Sequence, residues 1–171
     1  MKKWLIILLL FPFSCIAQIY KYIGVEDGLS NRRVYSIQKD RKGYMWFLTH
    51  EGIDRYNGKE FKQYKLMDGK EEVNSLLNLN WLYIDTEGVL WEIGKKGKVY
   101  RYDKAHDTFE LVYKLPVVEN KDMPAPVSYS YIDNSHTIWL CCEKSIYLYD
   151  TKSQDTTEIA NAIDETITDI A

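Results

Sequence analysis

The feature that most constrains this chain is a pattern that recurs three times. The first copy reads Val34-Tyr-Ser-Ile-Gln-Lys-Asp40-Arg-Lys-Gly43-Tyr-Met-Trp46. The second reads Leu79-Asn-Trp-Leu-Tyr-Ile-Asp85-Thr-Glu-Gly88-Val-Leu-Trp91, and the third Val127-Ser-Tyr-Ser-Tyr-Ile-Asp133-Asn-Ser-His136-Thr-Ile-Trp139. In every copy an apolar residue stands six positions before the Asp and a Trp six positions after it. The steps from Asp to Asp are 45 and 48 residues. Beyond the Trp, Arg55-Tyr56-Asn57, Arg101-Tyr102-Asp103 and Leu148-Tyr149-Asp150 recur at matching places. A period of this length marks one supersecondary unit that buries its core only by stacking on neighbours.

Within a unit the period-2 alternation before the Asp predicts a strand. Asp-x-x-Gly is a tight turn in which the Asp caps backbone amides and the Gly takes a positive φ. Tyr44 to Thr49 predicts a second strand, His50-Glu51-Gly52 a turn, and Ile53 to Tyr56 a third strand. Asn57-Gly58 is a two-residue hairpin signal, and Phe61 to Tyr64 predicts the fourth strand. Four antiparallel strands per 45-residue unit predict an all-β fold, a β-propeller fragment of about three blades plus the start of a fourth. The boundaries are 34–78, 79–126, 127–166 and 167–171. Frequent turns and period-2 patterning exclude a solenoid of helix pairs. His136 replaces the turn glycine of the third copy, which calls for a looser turn or an adapted conformation. The recurrent Trp residues are expected in the stacking between blades, whereas Trp81 lies off the repeat and is a candidate for sugar stacking. The recurrent Asp residues belong to turns of separate blades, so they form no catalytic carboxylate pair.

Composition agrees with a folded β-rich chain. Of 171 residues, 46% are hydrophobic and 14% aromatic, with 14 Tyr and 5 Trp. The net charge of −3 provides no basic face, so no nucleic acid is expected as a partner. Residues 1–17 read as an export signal: Lys2 and Lys3, the apolar run Trp4 to Phe11, and a small-residue site that places cleavage after Ala17. Acylation at Cys15 is the alternative processing. Cys141 and Cys142 are adjacent, so they should face opposite sides of a strand and not bridge each other. Only His136 and Glu143 stand near them in sequence, which is too few ligands for a metal, and no cofactor is called for. Residues 18–33 comprise a segment, Ile19 to Ile23, that alternates as a ring-closing strand, followed by a loop.

The run Val25-Glu-Asp-Gly-Leu-Ser-Asn31, then Asp40-x-x-Gly-x-Met-Trp46-Phe-Leu-Thr49-x-x-Gly52-Ile-Asp-Arg-Tyr56-Asn-Gly58-x-x-Phe61, resembles the start of the two-component regulator propeller family. The likeness extends over residues 19–171, closely in the first repeat and more loosely in the others. The resemblance implies a periplasmic sensor propeller of a hybrid histidine kinase, anchored in the inner membrane when full length. It also implies further blades and domains as partners, homodimerisation, and an oligosaccharide ligand that controls glycan-utilisation genes. The kinase and receiver signatures of that family are not in this sequence. The final residues Ile167 to Ala171 read as the first strand of a fourth blade, so the chain is expected to be a fragment of a longer protein or a truncated product of its gene.

Three functions compete at this level. One is a non-catalytic sensor segment for a saccharide. Another is an interaction scaffold or a remnant without independent function. The third is a piece of a glycan-active propeller enzyme, which needs converging acids, bases or metals that do not stand out from the repeat. Loop residues off the repeat are the binding candidates: Arg32 and Arg33 before the first strand, and His50 in the turn after the second. Guanidinium and imidazole groups there suit sugar hydroxyls or a uronate carboxylate.

Overall fold

The computed structural model describes residues 20–73, 79–117 and 124–160. The leader at 1–17, Ile19 and the fourth-blade start at 167–171 lie outside the described residues. Three four-stranded antiparallel meanders follow one another along the chain. Blade 1 comprises β1 (Val34–Lys39), β2 (Met45–Thr49), β3 (Ile53–Tyr56) and β4 (Phe61–Tyr64). Blade 2 comprises β7 (Leu79–Ile84), β8 (Leu90–Gly94), β9 (Lys98–Asp103) and β10 (Thr108–Lys114). Blade 3 comprises β11 (Tyr129–Ile132), β12 (Thr137–Cys141), β13 (Ser145–Asp150) and β14 (Thr156–Ala160). A small hairpin of β5 (Met67–Asp68) and β6 (Glu71–Glu72) lies between blades 1 and 2.

The spacing of six between Asp and Trp has a direct chemical cause. Asp40 Oδ1 accepts from the backbone N–H of Lys42 (2.9 Å) and Tyr44 (3.0 Å), and Oδ2 accepts from Trp46 Nε1 (2.9 Å). Asp85 repeats this with Glu87 and Val89 backbone N–H and with Trp91 Nε1 at 2.8 Å. Asp133 repeats it with Ser135, Thr137 and Trp139 Nε1 at 2.8 Å. One carboxylate therefore closes the turn and fixes the indole on the strand that follows. Gly43 and Gly88 carry φ of 89° and 80°, and His136 takes the same left-handed region at 68°. The third turn thus keeps its shape through an adapted histidine.

The blades stack through these tryptophans. Trp46, Leu48 and Ile53 of blade 1 pack on Leu82, Leu90 and Phe109 of blade 2. Trp91, Ile93 and Val99 of blade 2 pack in the same way on Ile138, Leu140 and Tyr149 of blade 3. A polar stitch accompanies each seam. Gln38 Nε2 donates to the Leu82 carbonyl (2.9 Å), and Tyr83 Oη donates to the Ser130 carbonyl (2.5 Å). Gln38 and Tyr83 stand opposite Trp46 and Trp91 in their ladders, two residues before the turn Asp. The donor thus recurs with the repeat, and so does the accepting carbonyl, three residues before the next Asp. At the two ends of the arc the equivalent residues stay open: Tyr131 is 44% exposed on blade 3, and Ile37 is 52% exposed where Leu82 is 1%.

The leading segment differs from the strand expected at Ile19 to Ile23. Among the described residues, 20–24 enter no ladder. Instead Lys21 Nζ donates to the Tyr56 hydroxyl (2.7 Å), and a short 3-10 turn follows at Val25–Asp27. Leu29 is buried beyond it, and Ser30 is tied to blade 1.

One side chain breaks the apolar seam. Glu92 is fully buried on β8, on the side that faces blade 1, and neither carboxylate oxygen has a hydrogen-bond partner. Its cross-strand neighbour Tyr100 also has an unpartnered buried hydroxyl. Burial raises the Glu92 pKa well above the carboxylate range. The unfolded chain ionises this group above about pH 4.3 and the folded chain resists doing so. Stability is therefore lost as pH climbs from there toward the raised folded value. Leu140 fills the corresponding place in blade 3, and Glu92→Leu is expected to stabilise the fold at pH 7 by about 1–3 kcal/mol. Urea melts at pH 5 and pH 8 check this: the gain should be larger at pH 8, and equal gains would show that Glu92 is solvated.

Candidate functional site

Meander topology gives each blade two rims. The upper rim carries the segments that lead into β1, β7 and β11 and the turns after β2, β8 and β12. The lower rim carries the Asp turns and the turns after β3, β9 and β13. The loop candidates Arg32, Arg33 and His50 all fall on the upper rim of blade 1. His50 donates its backbone N–H to the Arg33 carbonyl (3.0 Å), and its Nδ1 meets the Tyr35 hydroxyl at 2.8 Å. Asn31 Oδ1 accepts from the Arg33 backbone N–H at 2.8 Å, and Asn31 Nδ2 reaches Glu51 Oε1 at 3.5 Å. The loop before β1 and the turn after β2 are thus held side by side. Arg32 and Arg33 are exposed, and among the described residues neither side chain forms an ion pair.

Beneath them Asp54 anchors the loop. Asp54 Oδ2 accepts from the Ser30 backbone N–H (2.8 Å) and hydroxyl (2.7 Å), and Ser30 Oγ also meets Thr49 Oγ1 at 2.7 Å. Burial raises the Asp54 pKa, and the two Ser30 bonds pull it the other way. A cavity of about 600 Å³ opens beside this group, lined by Ser30, Glu51, Asp54, Gln63, Lys65 and Glu72. Among the described residues the upper rim of blade 1 is therefore a polar surface of carboxylates, amides and cations.

The lower rim holds a group that the sequence did not single out. Asp107, at φ 51° in the turn after β9, accepts from Arg55 (3.0 Å), Lys62 (2.5 Å) and the Tyr64 hydroxyl (2.7 Å) of blade 1. It also accepts from the Tyr102 hydroxyl of its own blade. Burial alone would raise its carboxyl, but Lys62, the two hydroxyls and Arg55 hold it well below the usual range. The Arg55 guanidinium lies 4.9 Å from the centre of the Tyr44 ring and 5.4 Å from that of Trp46. The recurrence of Arg before Tyr, as Arg55 and Arg101, was the only sequence hint of this knot. A cavity of about 260 Å³ opens next to it, between blades 1 and 2.

Other chemistry is thin. Asp103, His106 and Glu110 lie close enough together to share a cation. However, His106 is in contact with Asp103, and Glu110 is paired with Arg101 at 3.4 Å. Cys141 and Cys142 are free, buried thiols, and burial pushes Cys142 up to about 12, which makes it a poor nucleophile. Trp81 is half-buried against the core of the second seam.

Three consecutive meanders stacked face to face define an arc of a β-propeller. Residues 28–51 match the sequence profile of the two component regulator propeller, so the chain carries a repeat of that kind in blade 1. Similar solved structures agree with the fold. The extracellular domain of BT3049 from B. thetaiotaomicron, assigned to a hybrid two component system, has a TM-score of 0.63 at 24% identity and covers 82% of this chain. The corresponding domain of BT4673 from the same organism has a TM-score of 0.66 at 21% identity, over 86% of this chain. This chain spans only 20% and 19% of those two structures. A catalytically inactive virginiamycin B lyase from Staphylococcus aureus shares the fold at a TM-score of 0.55 and 14% identity, over 80% of this chain and 44% of its own. No curated protein matches the chain. Among the described residues no helix is long and apolar enough to cross a membrane.

Proposed function

We propose that this chain is a non-catalytic, ligand-binding segment of a periplasmic sensor propeller in a hybrid two component system, and that its ligand is an oligosaccharide. The regulator-propeller repeat at residues 28–51 carries the reading, because the match spans both the loop and the turn that form the upper rim. Arg32, Arg33 and His50 are assigned to saccharide contact there. The exposed side chains of Arg32 and Arg33, in a loop whose Asn31 reaches Glu51, supply donors and acceptors of the kind that sugar hydroxyls need. The carboxylates of the repeat are occupied in turns and do not converge, which favours binding over catalysis. The leader at 1–17, cleaved after Ala17, would deliver the segment to the periplasm. Further blades would seat on the open faces at Ile37 and Tyr131, and the full-length protein would act as an inner-membrane homodimer.

The test is a glycan array with the chain from Gln18 onward, followed by calorimetry on the best saccharide. Arg32→Ala with His50→Ala is expected to weaken binding at least about tenfold while the melting curve is unchanged. Unchanged affinity removes these residues from the site, and no saccharide binding at all removes the sensor reading.

A further inference from the structure

The two seams differ at the lower rim. The Asp turn of blade 2 carries Thr86-Glu87, and Glu87 closes its seam by pairing with Lys152 of blade 3 at 3.1 Å, with His136 at 3.6 Å. The Asp turn of blade 1 carries Arg41-Lys42 in the same two positions. Across its seam stands Lys104 of blade 2, a like charge, and here the cavity of about 260 Å³ stays open.

Of the four cations that line this cavity, Arg55 is paired with Asp107, whereas Arg41, Lys42 and Lys104 have no anion of their own among the described residues. Arg41 Nη2 donates to the Thr86 carbonyl, and Lys104 Nζ donates to the Gly88 carbonyl at 3.3 Å. Both are neutral acceptors. Among the described residues Arg41, Lys42 and Lys104 take part in no ion pair. The two carboxylates in the lining are spent elsewhere: Asp40 on its turn and on Trp46, Asp107 on Arg55, Lys62, Tyr64 and Tyr102. Three like charges brought to one cleft by two blades repel one another, and an anion in the cleft removes that cost. Tyr44 and the Arg55 guanidinium stacked on it supply a flat, half-buried wall. The volume is near the lower end for small-ligand sites and suits a single sugar ring.

We propose that the cleft between blades 1 and 2 binds an acidic sugar residue, with Lys42, Lys104 and Arg41 around its carboxylate and the ring against Tyr44. This inference rests on the saccharide-sensor reading and adds to it the charge of the ligand and a second contact on the opposite rim from Arg32.

Calorimetry on the chain from Gln18 onward, with digalacturonate, maltose and sodium sulfate as probes, tests it. Digalacturonate is expected to bind, to weaken about tenfold between 50 mM and 500 mM NaCl, and to exceed maltose at least about tenfold. The double variant Lys42→Glu/Lys104→Glu, at two exposed side chains of which Lys104 also gives up its bond to the Gly88 carbonyl, should abolish that preference with the circular dichroism spectrum of the fold retained. Should the variant misfold, Lys42→Gln/Lys104→Gln reads the same loss. Equal binding of maltose, or a preference that survives both variants, overturns the site. Sulfate that binds as tightly as digalacturonate overturns the sugar assignment. A saccharide released by Arg32→Ala but not by the lysine variants overturns this cleft and leaves the sensor reading standing.

Discussion

Trp46→Ala is expected to destabilise the fold by about 3–5 kcal/mol, and Trp91→Ala by a similar amount. Trp139→Ala should cost less than about 2 kcal/mol. The three residues are equivalent in sequence, and each donates its indole N–H to the Asp six residues earlier. They differ in what lies across from them. Trp46 is 1% exposed, with the Tyr102 and Phe109 rings of blade 2 at 4.8 and 6.1 Å. Trp91 is 2% exposed at the second seam. Trp139 is only half-buried. Removing either of the first two empties a seam and leaves an Asp oxygen unpaired, whereas removing the third vacates a surface that is already half open. Urea melts followed by circular dichroism give the order, and equal losses at all three positions would contradict stacking in the direction described.

Asp107→Ala is expected to cost about 2–3 kcal/mol, although the carboxylate is partly exposed and its ion pairs are screened. The loss is mainly that of the partners. Arg55, with a side chain 19% exposed, loses its carboxylate, and the Tyr64 and Tyr102 hydroxyls lose their acceptor. The pH dependence follows from the depressed carboxyl. Its stabilisation is complete above about pH 4, the unfolded value, and is lost as pH falls from there through the lower folded value. Asp107→Ala should therefore differ most from the parent chain at neutral pH and converge with it in acid. Thermal melts from pH 7 to pH 2 measure the difference, and a constant offset across that range would place the effect in the φ 51° turn and not in the charge.

The blade itself was legible because its signals are local. Asp-x-x-Gly, Asn57-Gly58 and period-2 alternation fix strands and turns within a dozen residues, and β3 and β4 fall where the alternation placed them. The β5–β6 hairpin escaped notice, although Asp68-Gly69 is a turn signal, because two-residue strands are too short to show a period. Its Asp68 matters to packing, pairing with Lys98 at 2.8 Å and Lys114 at 2.5 Å in blade 2. Glu92 was hidden for another reason. A strand pattern reports which residues alternate, not which side a neighbouring sheet will cover. The contacts between blades were illegible for the same reason: Gln38 finds Leu82 and Arg55 finds Asp107 only once two blades are stacked. At the site, the sequence marked Arg32, Arg33 and His50 as residues off the repeat, and the fold sets His50 beside the Arg33 main chain. The lower cleft needs Arg41 and Lys104 read from two blades together, which no single window contains.

Hydrogen exchange of the indole Nε1 protons, read by NMR on the chain from Gln18 onward, tests the blade repeat most directly. Trp46 and Trp91 are expected to exchange slowly and to lose protection together in denaturant, with Trp139 protected but faster. Rapid exchange at Trp46 or Trp91 in the native state would contradict the Asp–Trp clasp and the stacked blades built on it.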